Sequence, residues 1–554
     1  MNTLNKIIKK GKVVIIAGLV GAVSFLSYSF YDDYFEISKN LEIFNRVYKE
    51  VNTYYVDEVE PGKMVKTAID AMLGSLDPYT NYYSEAETEA FRIQMTGEYG
   101  GIGAIIRQKD SLIIVDDPYE GFAAQKAGLQ VGDVILEIDG TSMIGKSTSD
   151  ASNLLKGTVG TELTVVVDRP GKGKITKTFK REKIKIKNVP YYGMVNETVG
   201  YIKLTGFTRD AGKEVKDALK DLKSNHNAKS VVLDLRYNGG GLLDEAINIV
   251  NIFVKRGQLV VSTKGKISQW NKTYSALSSP EDTEIPLVVL INNRSASASE
   301  IVSGSMQDLD RGVVIGQRSF GKGLVQSTMP LEYNSQMKIT TAKYYTPSGR
   351  CIQALDYSHR NEDGSVGAVP DSLRKAFKTQ NGRTVYDGGG VKPDIDLDSK
   401  EYSNVAISLV TNDLIYDFAT KYRAEHDTIA SAKNFTLTEK DFQDFLIFIK
   451  GKDYNYSTET EKALDKMKAK AEEENYFEAI KDEYNQLKAD LNKDKDDDVI
   501  KNKAEIIEII EAEIVRRYYL QSGRIEVSFD DDKELQAAVA LLNDIDRYRS
   551  LLQP

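Results

Sequence analysis

At 554 residues, 41% hydrophobic and 28% charged, the chain is long enough for about three or four globular domains and is neither disordered nor polytopic. Lys and Arg number 73 against 82 Asp and Glu, a net charge of −9, and without a concentrated basic stripe this balance argues against nucleic-acid binding. The single cysteine, Cys351, rules out an internal disulfide or a multi-thiolate metal site. The three histidines, His226, His359 and His426, lie far apart and outside any H-E-x-x-H pattern. No metal site or other cofactor is therefore expected, and a Ser–His–Asp triad is disfavoured.

In chain order, Lys6, Lys9, Lys10 and Lys12 precede an apolar run from Val13 to Phe30, and Asp32, Asp33 and Glu36 follow it. A basic near flank and an acidic far flank orient the remaining chain out of the cytosol. The run is slightly shorter than the roughly 20 residues that span a bilayer. Residues 1–31 are read as an uncleaved anchor that tethers the protein to the cytoplasmic (inner) membrane; the small-x-small triplet Ser27-Tyr28-Ser29 leaves a cleaved signal, and secretion, as the alternative. Either way the remainder is expected on the periplasmic or extracytoplasmic side of a bacterial membrane.

Residues 35–95 carry apolar side chains at helical spacing (Leu41, Phe44, Val47, Val51, then Met64, Ala68, Met72, Leu73), with breaks at Pro61 and at Asp77-Pro78. Residues 97–189 switch to short β-branched runs divided by glycine turns, a compact β-rich module. Between Gly200 and Thr346, within a domain placed at 190–400, strand and helix patterns alternate and predict an α/β fold with helices packed on a sheet. Residues 351–390 are polar and glycine-rich and read as an insertion or long loop. From 401 to 554 the pattern is helical and highly charged, with mostly solvated faces. The run Lys493 to Asp498 starts like a calcium loop and has Glu505 at the twelfth position, but Val499 stands where the loop needs glycine, so it reads as a solvated linker.

Three constellations bear on chemistry. Gly316 to Gly323 nearly matches a phosphate-binding loop, but Gly323 replaces the hydroxyl that would hold Mg²⁺ and a strand rather than a helix follows. Ser372-Leu-Arg-Lys375 fits S-x-x-K, but in a polar loop without companion motifs. The third is Asn293 to Glu300, a run of small residues and serines joining a buried strand to a helix, the setting in which a serine nucleophile stands exposed. The Ala298 amide at the helix start and the glycine turn Asn238 to Gly241 are candidate oxyanion donors. Lys322, on a glycine-flanked turn, is the candidate base. A lysine serves as a base at neutral pH only after its ammonium form is destabilised by about 4 kcal/mol, which burial in apolar surroundings can supply. The same residues also read as a helix-capping serine cluster and a surface lysine.

The run from Ser295 to Gln326, SASASEIVSGSMQDLDRGVVIGQRSFGKGLVQ, resembles the catalytic core of the carboxyl-terminal processing peptidases, peptidase family S41. On that resemblance Ser297 is the nucleophile, Lys322 the general base and Gln326 the residue that orients the lysine. Asp308 matches a position implicated in some members, against a reading as a structural aspartate at a helix end. LDLRYNGGG, Leu233 to Gly241, is similar to the family's oxyanion turn, with a third glycine in place of the more usual proline-containing form, so the donor is Gly239 or Gly240. Leu76 to Thr80, Tyr345 to Arg350 and Val391 to Ile395 resemble further family motifs. The β-rich module resembles a PDZ domain: Tyr99, Gly100, Gly101, Ile102 and Gly103 match the carboxylate-binding loop, and Pro118 to Leu129, Gly132-Asp133 and Ile138 to Gly140 match later landmarks.

The resemblance implies an α/β multidomain fold: a crotonase/ClpP-like ββα protease core, a PDZ module before it, an N-terminal helical segment and a charged C-terminal helical region. It implies an exported serine endopeptidase whose PDZ takes a substrate's C-terminus while a Ser–Lys dyad cleaves unstructured protein segments through an acyl-enzyme, without a cofactor. The partners expected are protein or peptide substrates; a regulatory protein or a second copy of the chain would meet the helical regions. A non-catalytic scaffold that keeps the fold for binding is the alternative of a different class.

Overall fold

The computed structural model describes residues 34–554, so the lysine cluster and the apolar run read as an anchor lie outside the described residues. No helix among the described residues is long and apolar enough to cross a membrane. The chain divides into two compact units, one ending at Tyr82 and one running from Tyr83 to Pro554. In the first, residues 34–54 are helical and a second helix, Pro61–Gly74, opens with its proline at the position where a missing N–H costs nothing. Asp77 then turns the chain by accepting the Tyr79 and Thr80 N–H groups, each at 2.8 Å.

The second unit begins with the helix Glu85–Thr96, stopped by Gly97 in the left-handed region. The β-rich module follows, with strands in the order Ala104–Lys109, Leu112–Pro118, Val134–Ile138, Glu162–Arg169 and Gly173–Lys180. The strand Ala104–Lys109 is one of the two outer strands, so one of its edges carries no partner in the sheet. Glu98–Gly101 pairs separately with Glu182–Lys185.

Six strands form the central sheet, in the order Tyr191–Met194, Val199–Lys203, Ser230–Asp234, Leu287–Ile291, Val313–Gly316 and Ile395–Asp396; the first pair is antiparallel and the rest are parallel. The three middle strands are buried throughout and uniformly apolar apart from Ser230 and Asp234, as strands covered on both faces must be. On one face lie Ala211–Ser224, Leu243–Phe253 and Ala298–Asp308. In the first of these Val215, Ala218, Leu219 and Leu222 recur at helical spacing and are buried, the amphipathic stripe the sequence predicts. The register sets Asp234 beside Leu290 and Ile291 beside Gly316. The turns that leave these three strands therefore emerge together at one edge, where open parallel sheets place their ligand sites.

The opposite face is closed by the end of the chain. Leu535, Ala538, Leu541 and Leu542 of Lys533–Asn543 and Tyr548 of Ile545–Leu551 pack with Val232, Val288, Leu290 and Ile315. A mainly solvated C-terminal face is thus not what its last helices present, because the sheet's second apolar face needs a cover. The helices Leu414–Glu425, Glu439–Ile449 and Lys503–Val527 build a separate core around Phe418, Phe442, Phe445, Ile506, Ile510 and Ile514. This bundle meets the β-rich module through Arg107–Asp413 at 3.0 Å, Arg516–Asp116 at 3.1 Å and a Lys109–Asp417 pair. The charged run expected to be a linker is instead passed through by one continuous helix, Phe477–Lys501. The segment expected as an insertion or long loop holds two short hairpins, Leu355–Arg360 with Val366–Ala368 and Ala376–Lys378 with Thr384–Tyr386.

Candidate active site

The helix Ala298–Asp308 starts where the central strand Leu287–Ile291 ends, and every one of its residues is buried. Of the three serines around its start, two are structural. The Ser295 hydroxyl donates to the Leu235 carbonyl at 2.9 Å and the Ser299 hydroxyl to the Asn238 carbonyl at 2.8 Å, both fully buried. Ser297 between them is half-buried and faces a cavity of about 420 Å³. Its backbone sits at φ 56°, ψ −113°, a conformation that costs a non-glycine residue on the order of 1–3 kcal/mol. Neighbouring contacts hold it there.

Those contacts come from the turn after Ser230–Asp234. Asn238 is fully buried; its side chain donates to the Leu204 carbonyl at 2.8 Å and its own carbonyl accepts the Ala296 N–H at 3.1 Å. Gly240, at φ +95°, lies so close that a Cβ there would stand 2.6 Å from the Ala296 carbonyl oxygen and 2.9 Å from the Ser297 Cβ. The Gly240 N–H donates to Asn238 Oδ1 at 2.9 Å. Among the described residues the N–H groups of Gly239 and Ala298 have no acceptor, and both residues line the cavity.

Lys322 follows the neighbouring strand Val313–Gly316 on the turn Gln317 to Gly323 and lines the same cavity. One side chain ties its turn to the serine turn. Glu300 is fully buried; Oε2 accepts the N–H of Ser297 at 2.9 Å and of Lys322 at 2.8 Å, while Oε1 accepts the N–H of Gly321 at 2.7 Å and the Ser319 hydroxyl at 2.5 Å. Burial pushes its pKa up to about 7 against the pull of these four hydrogen bonds. Glu300 is not among the residues the motifs single out, although Ser297-x-x-Glu300 is the capping-box spacing.

Gln326, on the strand Leu324–Pro330, also lines the cavity, and its amide donates to Thr340 Oγ1 at 3.1 Å. Tyr344, buried in the cavity wall, donates to the Ser297 carbonyl at 3.2 Å. Phe91 and Met95 from the helix Glu85–Thr96, with Phe207, Leu243 and Ile301, give the cavity apolar walls. Ser297, Ala298, Gly239, Gly240, Lys322 and Gln326 thus come together around one space. Asp308 does not join them. It stands eleven residues along the helix from Ser297, about 16 Å at 1.5 Å per residue, and is paired with Arg350 at 2.8 Å while accepting the Ser348 N–H at 3.0 Å.

The glycine loop of the β-rich module is only partly as expected. Tyr99, Gly100 and Gly101 are engaged in the ladder with Glu182–Lys185, and Ile102 is buried in the module's core rather than open to a ligand. Ile102 and Gly103 keep N–H groups without an acceptor among the described residues, directly before the free edge of Ala104–Lys109. Gly103, at φ +72°, lies where a Cβ would meet the Phe122 Cβ at 2.6 Å.

Residues 198–358 match the family model of peptidase family S41, residues 114–169 that of a PDZ domain, and residues 405–542 the C-terminal helical domain of a probable PDZ-protease. A carboxy-terminal-processing protease of Bartonella bacilliformis is 39% identical over 321 residues, 57% of this chain and 73% of that protein. The chain belongs to the carboxyl-terminal processing peptidases of family S41. A probable CtpA-like serine protease of Staphylococcus aureus is 35% identical over 372 residues, 66% of this chain and 67% of the relative. Among solved structures, a photosystem II D1 C-terminal processing protease aligns at 29% identity over 64% of this chain and 92% of its own, with a TM-score of 0.35. As a member of this family the chain is a C-terminal processing serine protease with a PDZ domain, and the two domains fit the binding of peptide substrates.

Proposed function

We propose that the protein is an exported endopeptidase in which Ser297 attacks the scissile carbonyl while neutral Lys322 accepts the hydroxyl proton. The observation that carries this reading is the common cavity: the serine and lysine turns leave adjacent strand ends, face one space and are joined by Glu300. The tetrahedral oxyanion is received by the N–H groups of Ala298 and Gly239, a choice supported by the commitment of the Gly240 N–H to Asn238. Collapse breaks the C–N bond, the Lys322 ammonium gives its proton to the leaving amine, and an ester on Ser297 remains. Water, deprotonated by Lys322, then releases the acyl product and restores the serine. Gln326, which lines the same cavity as the lysine, orients it.

The PDZ domain selects the substrate. The free N–H groups of Ile102 and Gly103 take the terminal carboxylate and the peptide adds a strand to the open edge of Ala104–Lys109. Export follows from the lysine-flanked apolar run before residue 32, which orients the chain and, uncleaved, tethers it to the membrane. The test is digestion of an unstructured polypeptide ending in a free carboxylate beside the same polypeptide ending in a carboxamide, with fragments identified by mass spectrometry. Faster cleavage of the free acid is expected. Equal rates would overturn the capture of the terminal carboxylate by the PDZ domain, and no cleavage by folded enzyme would favour the scaffold.

A further inference from the structure

The end of the chain reaches the catalytic turns. Asp532 caps the helix Lys533–Asn543, its Oδ1 accepting the Leu535 N–H at 3.0 Å. The same carboxylate accepts two hydrogen bonds from the Arg236 guanidinium, at 2.8 and 2.6 Å. Glu534 is shared between two turns: Oε2 accepts from Arg236 at 2.9 Å and Oε1 accepts from the Gln317 amide at 2.7 Å. Arg236 stands three residues before Gly239, and Gln317 five before Lys322.

These contacts are largely shielded from solvent, the Asp532 and Glu534 side chains each being 15% exposed. Arg236 is only 8% exposed, and its remaining guanidinium bonds go to fully buried Asp234, at 2.6 Å for the closest. Lys203 pairs with Asp234 at 3.0 Å and the Tyr201 hydroxyl donates to it at 2.6 Å, so the cluster is closed on the strand side. A planar guanidinium held bidentately by one carboxylate and again by a second has little freedom to move. The helix Lys533–Asn543 also packs its apolar side chains against the sheet, and in the following helix the Tyr548 hydroxyl donates to the Leu287 carbonyl at 3.2 Å at the far end of the central strand.

We propose that Asp532 and Glu534 are positioning residues of the peptidase, holding through Arg236 and Gln317 the turn that bears Gly239 and the turn that bears Lys322 at a fixed separation. Glu300, fully buried, joins the serine and lysine turns, and Glu534 joins the glycine and lysine turns from the opposite layer. The C-terminal helices are in this way a part of the active centre without touching substrate. The inference rests on the Ser–Lys reading above.

The test uses the full chain, a cleavable peptide, and a peptidyl boronate whose tetrahedral adduct on Ser297 places an oxygen between the Ala298 and Gly239 amides. Glu534→Gln and Asp532→Asn are expected to lower kcat by about ten-fold or more and to weaken the boronate by a similar factor, with KM changed by less than about two-fold. Tyr548→Phe, which loosens the same helices at the other end of the sheet, is expected to lower the unfolding temperature and leave kcat and boronate affinity unchanged, all rates being taken well below each midpoint. Gln317→Ala severs the Glu534 tie from the turn side and is expected to give the same split, which keeps the test open should Glu534→Gln unfold. Unchanged kcat and boronate affinity in the folded variants would overturn the inference, as would a kcat loss in Tyr548→Phe proportional to its loss of stability. A parent enzyme that cleaves peptide but forms no boronate adduct on Ser297 would instead overturn the Ser–Lys reading, and this inference with it.

Discussion

The buried Glu300 carboxylate makes a prediction whose size changes with pH. Replacing it by glutamine keeps its shape and removes its charge. The amide oxygen can take the place of Oε2 and retain the Ser297 and Lys322 N–H bonds, while the NH₂ faces the Ser319 hydroxyl, which can accept, and the Gly321 N–H, which cannot. Two buried N–H groups, that of Gly321 and the second of the amide, are left without acceptors, at about 1–3 kcal/mol each. Against this, the carboxylate's pKa is raised from 4.5 to about 7, so keeping it ionised costs the fold about 3 kcal/mol. A raised carboxyl pKa means that the native state binds the extra proton between the two values, so its stabilising contribution is full below about pH 4.5 and is lost as pH rises through about 7. Glu300→Gln is therefore expected to be less stable than the parent by about 2–6 kcal/mol at pH 4.5, with the deficit smaller by about 3 kcal/mol at pH 8.5. Urea unfolding of both proteins at the two pH values measures the difference. A stability gap that does not change with pH would refute the buried-carboxylate reasoning.

Gly240→Ala places a methyl group 2.6 Å from the Ala296 carbonyl at φ +95°; it is expected to displace the serine turn and lower kcat by about 100-fold, read as a kcat loss at unchanged secondary structure by circular dichroism. Asp308→Asn leaves the Arg350 guanidinium, 1% exposed, without its ionic partner. It is expected to cost about 3–5 kcal/mol in urea unfolding while folded enzyme keeps the parent kcat, and a selective loss of kcat would return Asp308 to the catalytic set.

The alternation of apolar strands and amphipathic helices from Val199 to Gly316 was legible because each element carries its own period, and the glycine turns mark where the strands end. The serine and lysine turns were legible as motifs, yet only the parallel register, Asp234 beside Leu290 and Ile291 beside Gly316, brings them to one edge. What stayed hidden depends on partners far apart in sequence. Asp532 and Glu534 look like a solvated acidic start of a helix until Arg236, some three hundred residues earlier, is placed against them. Arg516 reads as one more charge in a charged helix, although it pairs with Asp116 of the PDZ domain and is 7% exposed. Ile102 reads as a pocket residue from its motif, whereas its side chain completes the PDZ core with Ile113 and Val115. The helix Phe477–Lys501 runs through Lys493 to Asp498, where charge density suggested a linker.

The central claim is that Ser297 and Lys322 perform the chemistry as a pair. Its most direct test is the rate at which folded parent, Ser297→Ala, Lys322→Ala and Lys322→Arg enzymes cut one unstructured polypeptide, with each variant's fold checked by its unfolding midpoint. Cleavage by the parent alone is the predicted result, because alanine removes the nucleophile or the base and arginine, with its much higher pKa, does not give up a proton at neutral pH. Cleavage at the parental rate by the Ser297 variant or by either Lys322 variant would contradict it.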